Sequence, residues 1–350
     1  MVGEGGALPL PWLEAPLRTA LETRHAHAIL IYGPAGVGQF ELAITLAQAW
    51  LCEVKPDPGA SGSGVSATLQ VPCGRCASCR LVNVHSHPDL LVLLPPLVRE
   101  QMGWGASADT DGDGAPETKA SKAKPSKEIK VEAVRGAVSF AQSSSARGRS
   151  KVVVVFPAER MNAIAANTLL KTLEEPPGMT RFLLATGSPE TLLPTIRSRC
   201  QALHLPIPET HVARDWLAAQ SVAGADAMLA AAGGQPLEAL AWARDGIEAS
   251  AWLALPRRVA SGDVSGLTGW PLPRAVEALQ KLCHDAMLMS AGAEPRYFPA
   301  SAMPKPAESL QLAAWSKSLL LAARQSEHPW NAGLMIESMV REASGALRIL

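Results

Sequence analysis

The stretch that decides the fold is Gly33–Phe40, which reads GPAGVGQF. An apolar run, Ala28–Tyr32, comes before it, and a helical pattern, Glu41–Leu51, follows it. A glycine-rich loop between a strand and a helix is the context of a P-loop, in which backbone N–H groups and a helix N-terminus surround a phosphate. The sequence therefore predicts a nucleotide-binding scaffold. Its candidate phosphate contacts are Gly33, Gly36, Gly38 and Gln39.

The positions that make a P-loop catalytic carry unsuitable side chains. An active loop has Lys for the β- and γ-phosphates and Ser or Thr for Mg²⁺, but this chain has Gln39 and Phe40 there. The apolar strand Lys151–Phe156 should end in carboxylates for Mg²⁺ and water, but Pro157 follows it instead. We therefore expect no nucleotide hydrolysis by this chain. A displaced Glu159 acting on water is the alternative.

Composition limits the class of protein. A length of 350 residues suggests two or three domains, and 47% apolar residues support packed cores. Lys+Arg and Asp+Glu are 32 each, so a net charge of +0 argues against a wide basic surface for nucleic acid, although a local patch stays possible. Because we find neither a secretory signal nor a membrane span, we expect a soluble cytoplasmic protein.

Four of the 6 cysteines have the spacing of metal ligands. They are Cys52, Cys73, Cys76 and Cys79, within a module of about 52–85. Four thiolates close a tetrahedral structural Zn²⁺ site and leave no position for water. The alternatives are four ordinary cysteines, or a site in which His85 or His87 competes as a ligand. We favour surface or turn positions for both histidines.

Strand and helix patterns alternate through residues 1–207, which indicates a parallel sheet covered on both faces. We predict a helix over 8–27 and a short helix over 192–199. The predicted strands are Ala28–Tyr32, Asp89–Leu94, Lys151–Phe156 and Phe182–Thr186. The stretch 99–128 is mostly small and polar, which predicts a disordered insertion. After Pro208 the patterns are helical only.

Two further motifs carry a resemblance to a known family. Residues 167–177 read NTLLKTLEEPP, and Ser198-Arg199-Cys200 follows a short helix. Together with the cysteine insertion after the P-loop helix, these motifs resemble the clamp-loader branch of the AAA+ superfamily, which serves bacterial DNA polymerase III. The motifs occur in the same order as in the family, and the resemblance covers nearly the whole chain. In the C-terminal region, however, only the helical character is shared, and no specific motif.

The resemblance implies three domains. These are an α/β AAA+ P-loop core over 1–207, with the zinc knuckle inserted, a small helical lid over 208–246, and an all-α collar over 247–350 that oligomerises. It implies a five-subunit ring with gamma/tau and delta subunits, which opens the sliding clamp and loads it onto primed DNA. In such a ring, Arg199 would be an arginine finger acting in trans on ATP held by a neighbouring gamma/tau subunit. The loop Gly33–Gln39 would be vestigial, and the four cysteines would hold zinc.

Other functions remain as alternatives. An active ATPase of the gamma/tau kind is the first, against which Gln39, Phe40, Phe156 and Pro157 argue; Pro236 also lies near the place of a sensor arginine. The second is a zinc-dependent nucleic-acid binder outside replication. We regard Arg197 as an ordinary surface arginine.

Overall fold

A computed structural model describes residues 1–23, 26–54, 71–104, 125–306, 308–326, 328 and 331–348. The chain divides into two compact units, Met1–Ile207 and Pro208–Leu350. Most of the predicted disordered insertion, residues 105–124, lies outside the described residues. The predicted insertion begins too early, because residues 99–101 belong to a helix. Within the described ranges, no helix is both long and apolar enough to cross a membrane.

The first unit is built on a five-stranded sheet. Its strands are β1 (Ala28–Tyr32), β2 (Leu90–Leu93), β3 (Lys151–Val155), β4 (Thr180–Thr186) and β5 (Gln201–His204). They run parallel in the order β2-β3-β4-β1-β5, which confirms the predicted parallel sheet. The sequence analysis missed β5. No residue of this edge strand is fully buried, so it carries no apolar run that would mark a strand.

Helices cover the sheet. They are α1 (Glu14–Glu22), α2 (Gln39–Leu51), α3 (Ala77–Asn83), α4 (Pro96–Gln101), α5 (Val131–Gln142), α6 (Ala163–Glu174) and α7 (Pro194–Arg197). Alternate strand residues such as Leu30, Val153 and Phe182 share one core cluster with α5 and α6. Helix α2 contacts β1, β3 and β4 and is almost entirely buried. Two predicted helices were too long, because α1 replaces the helix over 8–27 and α7 replaces that over 192–199.

The second unit is helical. Its helices are α8 (Thr210–Ala219), α9 (Ala225–Ala231), α10 (Pro236–Arg244), α11 (Ala249–Ala260), α12 (Leu272–Ser290), α13 (Ser309–Gln325) and α14 (Ala332–Ala346). One core cluster extends through the unit, and the side chains of Trp242 and Trp252 are fully buried in it. The expectation that strands stop after Pro208 was wrong in one detail. Two short strands, β6 (Lys305–Pro306) and β7 (Leu347–Arg348), pair antiparallel. The division into lid and collar stays a prediction.

A buried carboxylate fixes one loop of this unit. Asp285 on α12 has no exposed surface. It accepts hydrogen bonds from the backbone N–H groups of Arg296, Tyr297 and Phe298 at 2.9, 2.7 and 2.9 Å. A carboxylate that accepts several backbone N–H bonds compensates for its loss of hydration, so Asp285 ties the segment after α12 to the core.

Candidate nucleotide loop, cysteine cluster and arginine

The glycine-rich loop joins the carboxyl end of β1 to the N-terminus of α2. Gly36 and Gly38 have φ angles of 72° and 103°, which side chains with a Cβ rarely adopt. A Cβ on Gly33 would lie 2.0 Å from the carbonyl oxygen of Leu205, so the chain passes very close to the loop there. The Trp12 indole N–H donates to the Val37 carbonyl at 2.8 Å. These contacts and backbone angles fix the conformation of the loop.

Gln39 stands where the phosphate-binding lysine of an active loop would be, and its side chain turns back into the loop. Its amide nitrogen donates to the carbonyl oxygens of Gly33 at 2.9 Å and Pro34 at 2.5 Å. Only 3% of the residue is exposed. Because its two amide hydrogens are used within the loop, Gln39 closes the turn and projects no charge toward a phosphate.

Phe40, which stands where an active loop would have Ser or Thr for Mg²⁺, packs against other aromatic rings. Phe40 is 7% exposed, and its ring centroid lies 5.1 Å from that of Phe156. Trp104 meets Phe40 edge-on at 5.8 Å. The sequence analysis considered Phe40 and Phe156 separately, as residues unsuited to bind Mg²⁺, and it did not predict that their rings are in contact. It also missed Trp104, which follows α4 and falls within the stretch 99–128 that was predicted to be a disordered insertion.

A partly buried carboxylate lies close to the loop. Glu159 Oε1 accepts from the backbone N–H of Gly187 at 3.3 Å, and Oε2 has no hydrogen-bond partner in the described part of the chain. Gly187 in turn lies beside Ala35 of the loop, since a Cβ built on Gly187 would be 3.4 Å from the Ala35 Cβ. A negative charge beside a cradle that lacks its lysine disfavours an anion there.

The four predicted cysteines come together. Their Sγ atoms all lie within 4.8 Å of one another. The Cys73–Cys79 and Cys52–Cys76 Sγ distances are both 3.9 Å. Tetrahedral coordination with Zn–S bonds of about 2.3 Å requires S–S separations of about 3.8 Å. The four side chains could therefore hold a metal ion, and Cys52, which directly follows α2, belongs to the cluster.

Backbone N–H groups support the thiolate form of part of this cluster. Cys73 Sγ accepts from the N–H groups of Arg75 and Cys76 at 3.5 and 3.3 Å. Burial opposes ionisation of Cys73, but these N–H groups and the neighbouring thiols outweigh it and lower its pKa to about 7. Burial is the main cause that raises the pKa of Cys79. Cys76 caps the N-terminus of α3 by accepting from the Cys79 N–H at 3.4 Å.

The two nearby histidines lie in different surroundings. His85 is an exposed turn residue that stacks on Trp104, with ring centroids 3.8 Å apart. His87 begins a turn, since its carbonyl accepts from the Leu90 N–H at 3.1 Å, but the expectation of a surface position was wrong for it, because it is only 4% exposed. Its Nδ1 accepts from the Asp89 backbone N–H at 3.0 Å, an interaction that no spacing in the sequence reveals.

Arg199 lies just after α7 and contacts the end of α6. Its Nε donates to Glu174 Oε1 at 2.5 Å, and Nη2 completes the ion pair with the same oxygen. Nη1 donates to the Thr195 carbonyl at 2.9 Å. The side chain remains 32% exposed, so the guanidinium is oriented but accessible. The sequence analysis placed Glu174 and Arg199 in two separate motifs and did not predict this contact. Arg197 is exposed, as expected.

A parallel sheet with a glycine-rich loop after its first strand, followed by a helical second unit, defines the class of the protein as α/β with an added helical unit, which is the architecture that the resemblance to AAA+ proteins implies. The family described as DNA polymerase III, delta subunit, matches residues 14–209. The chain belongs to this family, and relatives in it carry the name DNA polymerase III subunit delta'.

Two of these relatives are similar over much of the chain. The delta' subunit of Pseudomonas aeruginosa is 37% identical over 65% of this chain and 60% of its own length. The delta' subunit of Escherichia coli is 32% identical over 81% of this chain and 77% of its own length. The chain thus matches less than two thirds of the Pseudomonas relative. The Escherichia coli DNA polymerase III subunit tau is 34% identical over 51% of this chain and 21% of its own length.

Proposed function

We propose that this chain is a non-hydrolysing, delta'-type subunit of a DNA polymerase III clamp loader. Its partners are gamma/tau and delta subunits, and the assembled complex loads the sliding clamp onto primed DNA in DNA replication. The observation that carries the non-hydrolysing role is the contact of Phe40 with Phe156, which fills the Mg²⁺ position with two rings. A nucleotide without Mg²⁺ lacks the main charge that stabilises phosphoryl transfer.

Arg199 supplies an arginine finger in trans to ATP on the neighbouring gamma/tau subunit. Its guanidinium is held at the surface by Glu174 and the Thr195 carbonyl, so its position is set before it meets a phosphate. A preorganised cation that meets a transferring phosphoryl group is worth about 10³–10⁵ in rate. The exposed Arg197, two residues away, offers a matched control of the same charge.

The test compares three versions of the chain in a complex with gamma/tau and delta, in the presence of clamp and primed DNA. With Arg199→Ala, hydrolysis at the neighbouring ATP site falls by about 10³ or more, while ring assembly measured by size-exclusion chromatography is unchanged. With Arg197→Ala, both readings match the unmodified chain. Unchanged hydrolysis with Arg199→Ala would contradict the finger role and leave a structural subunit.

The cysteine cluster holds a structural Zn²⁺ ion. Four sulfur ligands leave no open position, so the ion contributes folding free energy rather than chemistry. With Cys76→Ser, we expect the zinc content measured by atomic absorption to fall and the first unit to unfold at a lower temperature. Cys200→Ser is the control, because Cys200 is outside the cluster and its replacement leaves zinc content unchanged. Absence of zinc in the native protein would contradict this assignment.

An active ATPase of the gamma/tau kind is the alternative function, favoured by the similarity to tau. The two functions predict different behaviour of the isolated chain. The delta'-type role predicts no ATP turnover. Turnover that disappears when Gly38 is replaced would establish the alternative, because the activity would then depend on the loop. Turnover that survives the replacement would be a contaminant.

A further inference from the structure

A pocket of about 270 Å³ lies at the amino ends of β3 and β4. The glycine-rich loop follows the carboxyl end of β1. Because the five strands of this sheet are parallel, the pocket lies at the opposite ends of the strands from the loop. Its lining consists of residues 141–145, Arg149, Lys151 and residues 177–180. Its lining contains no residue of the glycine-rich loop and none of the four clustered cysteines, and the proposed function makes no use of it.

The lining is cationic. It contains Arg149 and Lys151 and no Asp or Glu. Lys151 is 5% exposed, and its Nζ donates to the Phe140 carbonyl at 2.9 Å and to Ser143 Oγ at 2.5 Å. Both acceptors are neutral. Nζ also lies 3.8 Å from the centroid of the Phe140 ring, a cation–π contact that stabilises the ammonium group without neutralising it. Burial disfavours the charged form of Lys151, and the nearby charge of Asp89 offsets only part of that effect.

The loop that forms one wall is held from behind. Asp89 has no exposed surface and accepts from Ser145 Oγ at 3.0 Å and from the N–H groups of Ala146 and Arg147 at 2.7 and 3.0 Å. Ser145 Oγ also accepts from the backbone N–H of Arg149 at 3.1 Å. These bonds fix the wall without help from any ligand, so a ligand need not order it.

The Arg149 side chain is held by a neutral group as well. Its Nη2 donates to the backbone carbonyl of Glu53 at 3.0 Å. The carboxylate of Glu53 is instead engaged by Arg147, at 2.5 Å, and by the Ser78 hydroxyl, at 2.9 Å. The guanidinium of Arg149 therefore has donors left over and lines the pocket with its charge available for an anion.

We propose that this pocket binds a phosphate-type oxyanion, with Lys151 and Arg149 as its charged contacts. Oxyanions accept several charge-assisted hydrogen bonds at once, and an arginine fork with an ammonium group matches that geometry. Burial lowers the pKa of Lys151. A bound anion would raise this pKa again, because a nearby negative charge favours the charged form of the lysine. The phosphate can be a free ion or the phosphate of a nucleic acid, and the experiment separates these sources.

The experiment titrates inorganic phosphate into the full chain at constant ionic strength, with chloride as the reference. Binding is followed by NMR of labelled lysine side chains, in which the Lys151 signal is identified by its absence from Lys151→Met. We expect the Lys151 signal to shift with saturation, and Arg149→Gln to weaken the affinity about tenfold by removing one charge-assisted contact. The control is Arg135→Gln, an exposed position on α5 outside the lining, which keeps the affinity of the unmodified chain.

Two short oligonucleotides, with and without a 5′-phosphate, then compete with inorganic phosphate. Displacement by either one identifies the ligand as a nucleic-acid phosphate, and no displacement identifies a free phosphate. The proposal is overturned if the Lys151 signal does not respond to phosphate, or if Arg149→Gln binds as tightly as Arg135→Gln. Arg149→Gln keeps the test decisive even if Lys151→Met fails to fold.

Discussion

Replacing Phe40 with threonine restores the residue type that binds Mg²⁺ in an active loop, and we expect it to destabilise the protein rather than activate it. Phe40 is 7% exposed and packs against Phe156 and Trp104 at centroid distances of 5.1 and 5.8 Å. Truncation of a buried Phe costs about 3–5 kcal/mol through lost transfer free energy and the cavity left behind. The hydroxyl of threonine would face two rings without a partner, which adds to that cost.

The assay is equilibrium unfolding in urea followed by circular dichroism, with hydrogen exchange of α2 to localise the loss to the first unit. Two units need not unfold together, so the local measurement is required. Leu310→Thr is the control, because Leu310 is 82% exposed and its replacement should change stability by less than about 0.5 kcal/mol. A loss below about 1 kcal/mol for Phe40→Thr, or ATP turnover by that variant, would refute the reasoning.

Two further predictions concern carboxylates. Asp285→Asn should destabilise the second unit by about 3 kcal/mol in thermal or urea unfolding, because an amide replaces a buried charged acceptor of three N–H groups; a change below about 1 kcal/mol would be inconsistent with those bonds. Glu174→Gln should lower hydrolysis in the reconstituted ring less than Arg199→Ala does, because Thr195 still holds Nη1 of the arginine. Glu175→Gln is the control, and its hydrolysis rate should match that of the unmodified chain. A larger loss of hydrolysis with Glu174→Gln than with Arg199→Ala would mean that Glu174 acts independently of the arginine.

Much of the first unit could be predicted from local patterns. The strand, glycine-rich loop and helix around Gly33–Phe40 follow from an apolar run, glycines that allow positive φ, and a helical pattern. The spacing of Cys73, Cys76 and Cys79 indicated a knuckle, because ligands with two residues between them can reach a common centre from one tight turn. The edge strand Gln201–His204 escaped prediction, since it gains its hydrogen bonds from β1 and buries too little apolar surface to show in the sequence.

The sequence by itself determined which side chains are present: no lysine in the loop, no carboxylate in the three residues directly after β3, four cysteines at ligand spacing, and an arginine after a short helix. The tertiary structure alone decided which of them meet. Phe40 and Phe156 are in contact although they are 116 positions apart in the chain. Glu174 and Arg199, and likewise Asp89 and the loop before β3, are also distant in the sequence and in contact in the structure. Contacts of this kind depend on strand order and helix packing, which local periodicity does not encode.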